Sequence, residues 1–192
     1  MNALAVKGLC KRYPAFSLEN VSFSVPEGAV MGFIGRNGAG KSTTLKALLG
    51  LVHPDAGEVT VLGKSFREEE RYIKERIGVV LGGIDFYPKK KVRLLSDVTR
   101  RFYSNWQEEK YRHYLDLFGI DQEKRVDQLS TGMRVKYMIA LALSHDARLL
   151  ILDEPTSGLD PVSRSELTEL LRRSHAGDER ARETLIQGNL RL

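Results

Sequence analysis

One glycine-rich segment restricts the fold of this chain more than any other feature. Residues 35–43 read Gly-Arg-Asn-Gly-Ala-Gly-Lys-Ser-Thr, which fits the phosphate-binding pattern G-x-x-x-x-G-K-[S/T]. The apolar run Val30–Ile34 precedes the segment and predicts a buried strand, and Thr43–Leu49 follows it and predicts a helix that ends at Gly50. The sequence therefore predicts a strand–loop–helix unit.

Such a loop has the chemistry of a polyphosphate site. Its glycines let backbone N–H groups point at an anion, and the helix N-terminus adds unpaired donors and partial positive charge. Lys41 is expected to reach the β- and γ-phosphates of a nucleoside triphosphate, and the Ser42 hydroxyl to bind Mg²⁺. A glycine-rich turn that carries a lysine by chance is the alternative, which the flanking strand and helix disfavour. The predicted nucleotide-binding residues are Gly35, Asn37, Gly38, Ala39, Gly40, Lys41, Ser42 and Thr43.

A second segment places two acidic residues after a fully apolar run. Leu149–Leu152 predicts a strand in a sheet covered on both faces, and Asp153 and Glu154 follow directly. Ligands of open parallel sheets lie beyond the carboxyl ends of the strands, so both carboxylates are expected beside the phosphate loop. Asp153 is a candidate ligand of the metal ion. Glu154 is a candidate to polarise a water molecule for attack on the γ-phosphate. The alternative is a pair of acids that cap the next turn.

Composition excludes several classes of protein. The 192 residues are 42% hydrophobic and 29% charged, as in a soluble globular domain. The net charge of +5 fits an anionic nucleotide, but basic residues occur throughout the chain, so no nucleic-acid partner is expected. The single Cys10 predicts a buried thiol in a reducing compartment. We expect neither a signal peptide nor a membrane-spanning helix, because the longest apolar run, near Met138–Leu143, is too short.

The remaining pattern divides the chain into three parts. Two alternating runs, Leu4–Leu9 and Val21–Val25, predict antiparallel strands, and further strands are predicted at 58–62 and 77–81 with a charged helix over 67–74 between them. From Asp85 to Gln128 aromatic residues recur at helical spacing, which favours a helical part with an aromatic core. One predicted helix starts near Ser104–Gln107 and ends at Gly119, and Lys89–Lys91 are expected on an exposed loop. The aromatic residues are Phe102, Trp106, Tyr111, Tyr114 and Phe118.

Together these motifs resemble the ATP-binding subunits of ABC transporters. Leu129-Ser130-Thr131-Gly132-Met133 is similar to the family signature L-S-G-G-Q, altered at its third and fifth positions, and Ser157–Asp160 resembles the family's D-loop. Tyr13 by itself fits a half-buried strand tyrosine; the resemblance implies instead that its ring stacks on adenine. Two stretches, 102–106 and 129–134, look most similar to the bacterial acetoin-utilisation and antibiotic-export branch.

The resemblance implies an α/β fold of the P-loop NTPase type, with a mainly parallel core sheet flanked by helices. An antiparallel β part is expected over 1–30, a nucleotide-binding core over 31–82 and 145–192, and a helical part with the signature over 83–144. It also implies ATP and Mg²⁺ as ligands and a second ATPase subunit, identical or different. The two subunits close head to tail, so that Ser130, Gly132 and Asp160 complete the partner's nucleotide site.

The family pattern fails at two places. The strand 77–81 resembles the one that delivers a glutamine to Mg²⁺ and the attacking water, but Gly82 follows here, and Asp85 is the candidate substitute. The family's histidine after the D-loop helix has no counterpart: Thr184–Gln187 predicts a strand that ends without one, and His175 stands too early. The charged tail after Ser174 looks truncated or frame-shifted.

Three functions follow from these observations. The first is an ATP-hydrolysing subunit at the cytoplasmic face of the cell membrane that powers a transmembrane permease through nucleotide-driven dimerisation. The second is a soluble ABC-type ATPase switch without a membrane partner, which one P-loop and the lack of sustained heptads disfavour. The third is a subunit that binds nucleotide but hydrolyses it slowly, as Gly82 and the missing histidine suggest.

Overall fold

The structure is a computed structural model that describes residues 1–36, 38–81, 87–153, 155, 165 and the backbone of 184–188. Strands are β1 (Asn2–Tyr13), β2 (Phe16–Pro26), β3 (Val30–Phe33), β4 (Ala56–Val61), β5 (Lys64–Ser65), β6 (Ile77–Leu81), β7 (Leu149–Asp153) and β8 (Thr184–Gly188). Helices are α1 (Lys41–Leu48), α2 (Glu70–Lys74), α3 (Val92–Thr99), α4 (Glu108–Phe118) and α5 (Thr131–Leu143), with 3₁₀ turns at Arg100–Phe102 and Val126–Gln128.

An antiparallel sheet with the order β2-β1-β4-β5 forms the first layer. The two predicted N-terminal strands are confirmed and are longer than predicted. The sheet also takes in β4, which pairs with β1 through Leu4 opposite Val61 and Val6 opposite Val59. The antiparallel layer therefore reaches past the expected boundary at residue 30, because these four apolar side chains share one face of the sheet and the core beneath it.

A second, parallel sheet has the order β3-β8-β7-β6. Its register places Phe33 opposite Gly188, Gly188 opposite Asp153, and Asp153 opposite Leu81. All four strands therefore end at the same edge. The predicted strand at 184–187 is confirmed, and it lies between the strand of the phosphate loop and the strand of the acidic pair.

Strand β7 is buried on both faces, as its uninterrupted apolar run predicts. Leu149 and Ile151 lie in one core cluster with α1, whereas Leu150 and Leu152 lie in another with α5. All four side chains are at most 2% exposed. The helices α1 and α5 thus cover opposite faces of the sheet, which fixes the α/β architecture.

Strand β3 differs from its predicted burial. Met31 and Phe33 pack against the core, but Val30 is 54% exposed and Ile34, just after the strand, is 86% exposed. The strand stands at the end of the sheet order, so only one of its edges is paired among the described strands. An apolar run alone cannot distinguish such an edge strand from a central one.

The helical part has the predicted aromatic core, with one exception. Helix α4 ends at Gly119, which has a φ of 62° as a C-terminal cap, and Tyr111 is buried between α3 and α5. Phe102 is 72% exposed instead, because its 3₁₀ turn lies beyond the packed face of α3. Cys10 is only partly buried, where its thiol donates to the Gly8 carbonyl. None of the helices in the described ranges is long and apolar enough to cross a membrane.

A buried histidine lies just after α5 and contacts the residues around it on both sides. His145 follows α5, is 1% exposed, and stacks on Tyr103 with ring centroids 3.8 Å apart. Burial lowers the pKa of His145 to about 4, against the opposing effects of the Glu75 carbonyl and the Asp146 carboxylate. The imidazole is therefore neutral in the folded protein at neutral pH.

This pKa makes folding stability depend on pH. The unfolded chain takes up the proton near pH 6.5 and the folded chain only near pH 4, so stability is fully present above the first value and is lost as pH falls towards the second. The free energy of unfolding should drop by up to about 3 kcal/mol across this window. Urea unfolding at a series of pH values measures it. His145→Phe should flatten the slope, whereas His53→Gln, at an exposed position, should not; equal slopes in the parent and His145→Phe would exclude His145 as the cause.

Candidate functional site

The glycine-rich loop leads from the end of β3 into α1. Gly38 and Gly40 have φ values of 82° and 88°, a conformation that favours glycine, and Gly40 is the residue before the helix. The Lys41 ammonium donates to the Gly35 and Arg36 carbonyls at 2.6 Å and 2.9 Å. The loop therefore wraps around the lysine that the sequence singles out.

One face of helix α1 is buried in the core, whereas its N-terminus faces solvent. Thr44, Leu45 and Leu48 are at most 1% exposed, whereas Ser42 is exposed. The Thr44 hydroxyl donates to the Gly40 carbonyl at 3.0 Å, which closes the first turn. The first N–H groups of any helix lack intrahelical acceptors, and the first turn of α1 contains no acidic side chain. The helix thus presents donors and partial positive charge to solvent at the loop.

Strand β2 packs against the glycine-rich loop. A side chain at Gly40 would meet Phe16 Cζ and Leu18 Cδ1, each at 2.8 Å. Gly40 is therefore required twice, for its backbone conformation and for this close approach. The sequence pattern does not identify Phe16 and Leu18 as residues that pack against the loop. Their period-2 spacing places both on one face of a strand, but nothing in the pattern shows that this face meets the loop.

The sheet brings Asp153 to the same edge as the loop. Asp153 ends β7, two strands away from β3, which places its Cα roughly 10 Å from that of Phe33 by ordinary strand spacing. Asp153 is partly buried and has an interaction partner in the structure. Several residues named from the sequence lie outside the described residues: Asn37, Gly82, Asp85, Glu154, Asp160 and His175.

Tyr13 lies at the end of β1 and is 41% exposed. Its ring stacks on Phe16, with centroids 6.4 Å apart, and the Lys11 ammonium is 5.9 Å from the Tyr13 centroid. Asp55 fixes this strand end by accepting from the Lys11 ammonium at 2.6 Å and from the Arg12 N–H at 2.7 Å, which lowers the pKa of Asp55. An exposed aromatic face is therefore connected through Phe16 to the glycine loop.

The signature residues Ser130 and Gly132 lie in a different part of the fold from the glycine-rich loop. Ser130 caps α5, and its hydroxyl accepts from the Met133 N–H at 3.2 Å. Gly132 follows in the first turn of that helix, which belongs to the helical part. The structure therefore joins the loop and Asp153 at one sheet edge, but it places Ser130 and Gly132 at the N-terminus of a different helix.

The residues present fit a magnesium–triphosphate group. The helix N-terminus and Lys41 are matched to phosphate oxygens, and Ser42 with Asp153 offers the hard oxygen ligands that Mg²⁺ prefers. Within the described residues no three His, Cys, Asp or Glu side chains cluster as a metal site of their own. This suits an ion that the nucleotide and a few protein oxygens hold together.

Residues 18–157 match the sequence profile described as ABC transporter. The chain belongs to this family. The bacitracin transport ATP-binding protein BcrA of Bacillus licheniformis is 36% identical over 81% of this chain and 51% of its own length. The Nod factor export ATP-binding protein I of Burkholderia orbicola is 38% identical over 84% and 55%. The predicted resemblance to ATP-binding subunits of ABC transporters is confirmed, and the chain spans about half the length of these curated relatives.

Solved structures show the same fold. A structure described as the ATP-binding subunit of an ABC transporter superposes with a TM-score of 0.84 at 28% identity, covering 98% of this chain and 80% of its own. CbiO1 of Clostridium perfringens, described as part of an ABC transporter complex, gives 0.79 at 26% identity, covering 98% and 78%. The predicted fold of a P-loop NTPase is confirmed.

The close approach of Phe16 and Leu18 to Gly40 in the glycine-rich loop predicts different effects for two glycine variants. Gly40→Ala should lower the free energy of unfolding by about 1–2 kcal/mol for the positive φ and by a further ~1–3 kcal/mol for overpacking against Phe16 and Leu18. Gly63→Ala is the matched control, since Gly63 has a φ of 77° but nothing within 4 Å of an added Cβ. Urea unfolding compares the two variants. An equal loss in both would mean that β2 does not support the loop.

Proposed function

We propose that this chain is the ATP-binding and ATP-hydrolysing subunit of a membrane transporter. One observation carries the proposal: the glycine loop at the start of α1 and the Asp153 end of β7 lie at the same edge of the parallel sheet. Membership of the ABC transporter family supports it, as do relatives named for bacitracin transport and Nod factor export. The place of the chain within the acetoin-utilisation and antibiotic-export branch is part of the proposal.

In this proposal the loop binds the triphosphate. The Lys41 ammonium moves from the Gly35 and Arg36 carbonyls to the β- and γ-phosphates, and Tyr13 stacks on the adenine. Ser42 and Asp153 hold Mg²⁺, which when bound neutralises charge on the phosphate oxygens. Glu154 orients and polarises the water for in-line attack on the γ-phosphate.

A second copy or a related subunit completes each site. Ser130 and Gly132 open α5, so the N-terminus of that helix is suited to receive a γ-phosphate held by another subunit. Asp160 would join the same interface. Binding of ATP then favours closure of the pair, and hydrolysis removes the phosphate that holds the halves together.

A groove on the surface supports a permease partner. It has a volume of about 960 Å³ and is lined by both apolar and charged side chains. A groove with such a mixed lining is suited to an amphipathic helix. We propose that the chain acts at the cytoplasmic face of the membrane, with a permease helix in this groove. The apolar lining residues include Leu49, Leu51, Ile77, Val79 and Leu81.

Two alternatives make different predictions. A soluble ATPase switch would not co-purify with a membrane subunit. An impaired subunit, suggested by Gly82 and the missing histidine, would bind ATP with normal affinity but hydrolyse it slowly. Its rate of phosphate release would then be far below its rate of ATP binding. Co-purification separates the first alternative from the proposal, and phosphate release compared with binding separates the second.

Lys41→Ala tests the loop. Loss of the ammonium removes a charge-assisted bond to phosphate, so ATP affinity should fall about tenfold to hundredfold. Equilibrium binding of a fluorescent ATP analogue measures it. Lys46→Ala is the control, since Lys46 is exposed in the last turn of the same helix and should leave the affinity unchanged. If both variants bind like the parent, the loop is not the nucleotide site.

Glu154→Gln tests the catalytic base. The amide cannot take up a proton from water, so ATP binding should persist while hydrolysis falls, and the ATP-bound pair of subunits should accumulate. Size-exclusion chromatography with ATP and Mg²⁺, together with phosphate release, follows both effects. Hydrolysis at the parental rate would exclude Glu154 as the base.

A further inference from the structure

A cluster of three hydroxyl groups lies in the core of the helical part. Ser96 of α3, Tyr111 of α4 and Tyr137 of α5 are each at most 3% exposed. The Tyr111 hydroxyl donates to Ser96 Oγ at 2.5 Å, and Ser96 Oγ lies 2.9 Å from the Tyr137 hydroxyl. The core around them is otherwise built of apolar side chains such as Leu95 and Leu115. One polar cluster therefore joins three helices.

Each hydroxyl proton of the cluster has an acceptor. The Val92 carbonyl accepts from the Ser96 hydroxyl at 3.0 Å and from the Tyr137 hydroxyl at 3.2 Å, and the Tyr111 proton points to Ser96. Burial raises the pKa of Tyr111 to about 12 and also raises the pKa of Tyr137. Both phenols therefore keep their protons at neutral pH, and the cluster stays hydrogen-bonded.

These hydrogen bonds fix α5 more narrowly than apolar packing does. The hydrophobic attraction is non-directional, so it holds the three helices together without specifying a single rotation of α5. A hydrogen bond depends steeply on distance and angle. A small rotation or shift of α5 would leave the Tyr137 hydroxyl buried without a partner, which is costly. The cluster thus specifies where α5 lies relative to α3.

Tyr137 is well placed to control the start of its helix. It follows Ser130 by seven residues, which is close to two helical turns, or about 10 Å along the axis. The two residues therefore lie on nearly the same side of α5. Because a helix of this length moves as a rigid rod, a displacement at Tyr137 is carried to Ser130.

We propose that the Tyr137 hydroxyl positions the N-terminus of α5, where Ser130 and Gly132 would bind the γ-phosphate of a nucleotide on another subunit. This role rests on the proposed pair of subunits. Tyr137 is 1% exposed and so acts through the helix, as a positioning residue and not as a contact of the nucleotide. Its loss should therefore affect the nucleotide held by the partner and spare the one in its own loop.

Mixed pairs of full-length copies separate these two effects. In each mixture, a limiting amount of a copy with an intact loop is combined with a large excess of the Lys41→Ala copy. At limiting ATP and Mg²⁺ the nucleotide then lies in the intact loop, and the excess copy supplies α5. The rate of phosphate release in a single turnover is measured. The reference mixture contains the limiting parent and the excess Lys41→Ala copy.

Tyr137→Phe removes the hydroxyl and keeps the ring that packs in the core. Placed in the excess copy, it should slow phosphate release about tenfold, since α5 no longer meets the γ-phosphate in the correct orientation. Placed in the limiting copy, it should leave the rate at the reference value, because the α5 of that copy faces an empty loop.

Two further variants complete the design. Ser144→Ala in the excess copy is the matched control: the Ser144 hydroxyl is also buried in this region, but it donates to the Ala140 carbonyl of α5 itself, at 2.5 Å, and joins no other helix. It should release phosphate at the reference rate. Ser96→Ala in the excess copy removes the central member of the cluster from α3 and should slow release as Tyr137→Phe does, which gives a second route if Tyr137→Phe fails to fold.

Two outcomes would overturn the positioning role while leaving the proposed pair intact. One is equal slowing by Tyr137→Phe in the limiting and the excess copy, which would indicate a general loss of structure. The other is a reference rate in all mixtures. A reference mixture that is no faster than the limiting parent alone would contradict the pair of subunits itself, and the positioning role with it.

Discussion

The hydrogen bonding of β8 between β3 and β7 is the interaction on which the site depends. It sets Phe33, Gly188 and Asp153 at one level, so that the glycine loop and the acidic strand end emerge together. A slip of one residue in β7 would turn its buried side chains to the opposite faces and shift the carboxylate along the edge. The burial of Leu149 and Ile151 on one face and Leu150 and Leu152 on the other resists such a slip, because each face packs against a different helix.

Much of this arrangement could be predicted from the sequence, because local and long-range signals agree. The loop pattern and the apolar strand before Asp153 each specify one element type, and the structure has these elements there. The family motifs then supply the topology. Burial was harder to predict: the run Val30–Ile34 indicates a buried strand, yet sheet order leaves it at the edge. Strand order arises from pairing between distant segments, which a local pattern does not encode.

The residues that pack against the candidate site could not be predicted from the sequence either. Phe16 lies against Gly40 and stacks on Tyr13, so one aromatic side chain joins the proposed adenine-stacking residue to the glycine-rich loop. Alternation in β2 indicates that Phe16 and Leu18 share a face, but only the crossing of the antiparallel layer over the loop shows what that face meets. The Lys11–Asp55 ion pair could not be predicted from a local sequence pattern, because its partners lie 44 residues apart.

The position of Ser130 gives a physical reason for the proposed two-subunit site. The N-terminus of α1 and the N-terminus of α5 both present donors suited to phosphate, but they begin from different parts of the fold. In the proposed pair, a triphosphate at the loop would leave the α5 terminus available to a nucleotide on the other subunit, and two-fold symmetry would make the relation mutual. Arg101, Phe102 and Tyr103, which lie in the same helical part as α5, also line the large groove. In the proposed pair of subunits, closure that moves α5 would thus also move this side of the groove, which we propose receives the permease helix.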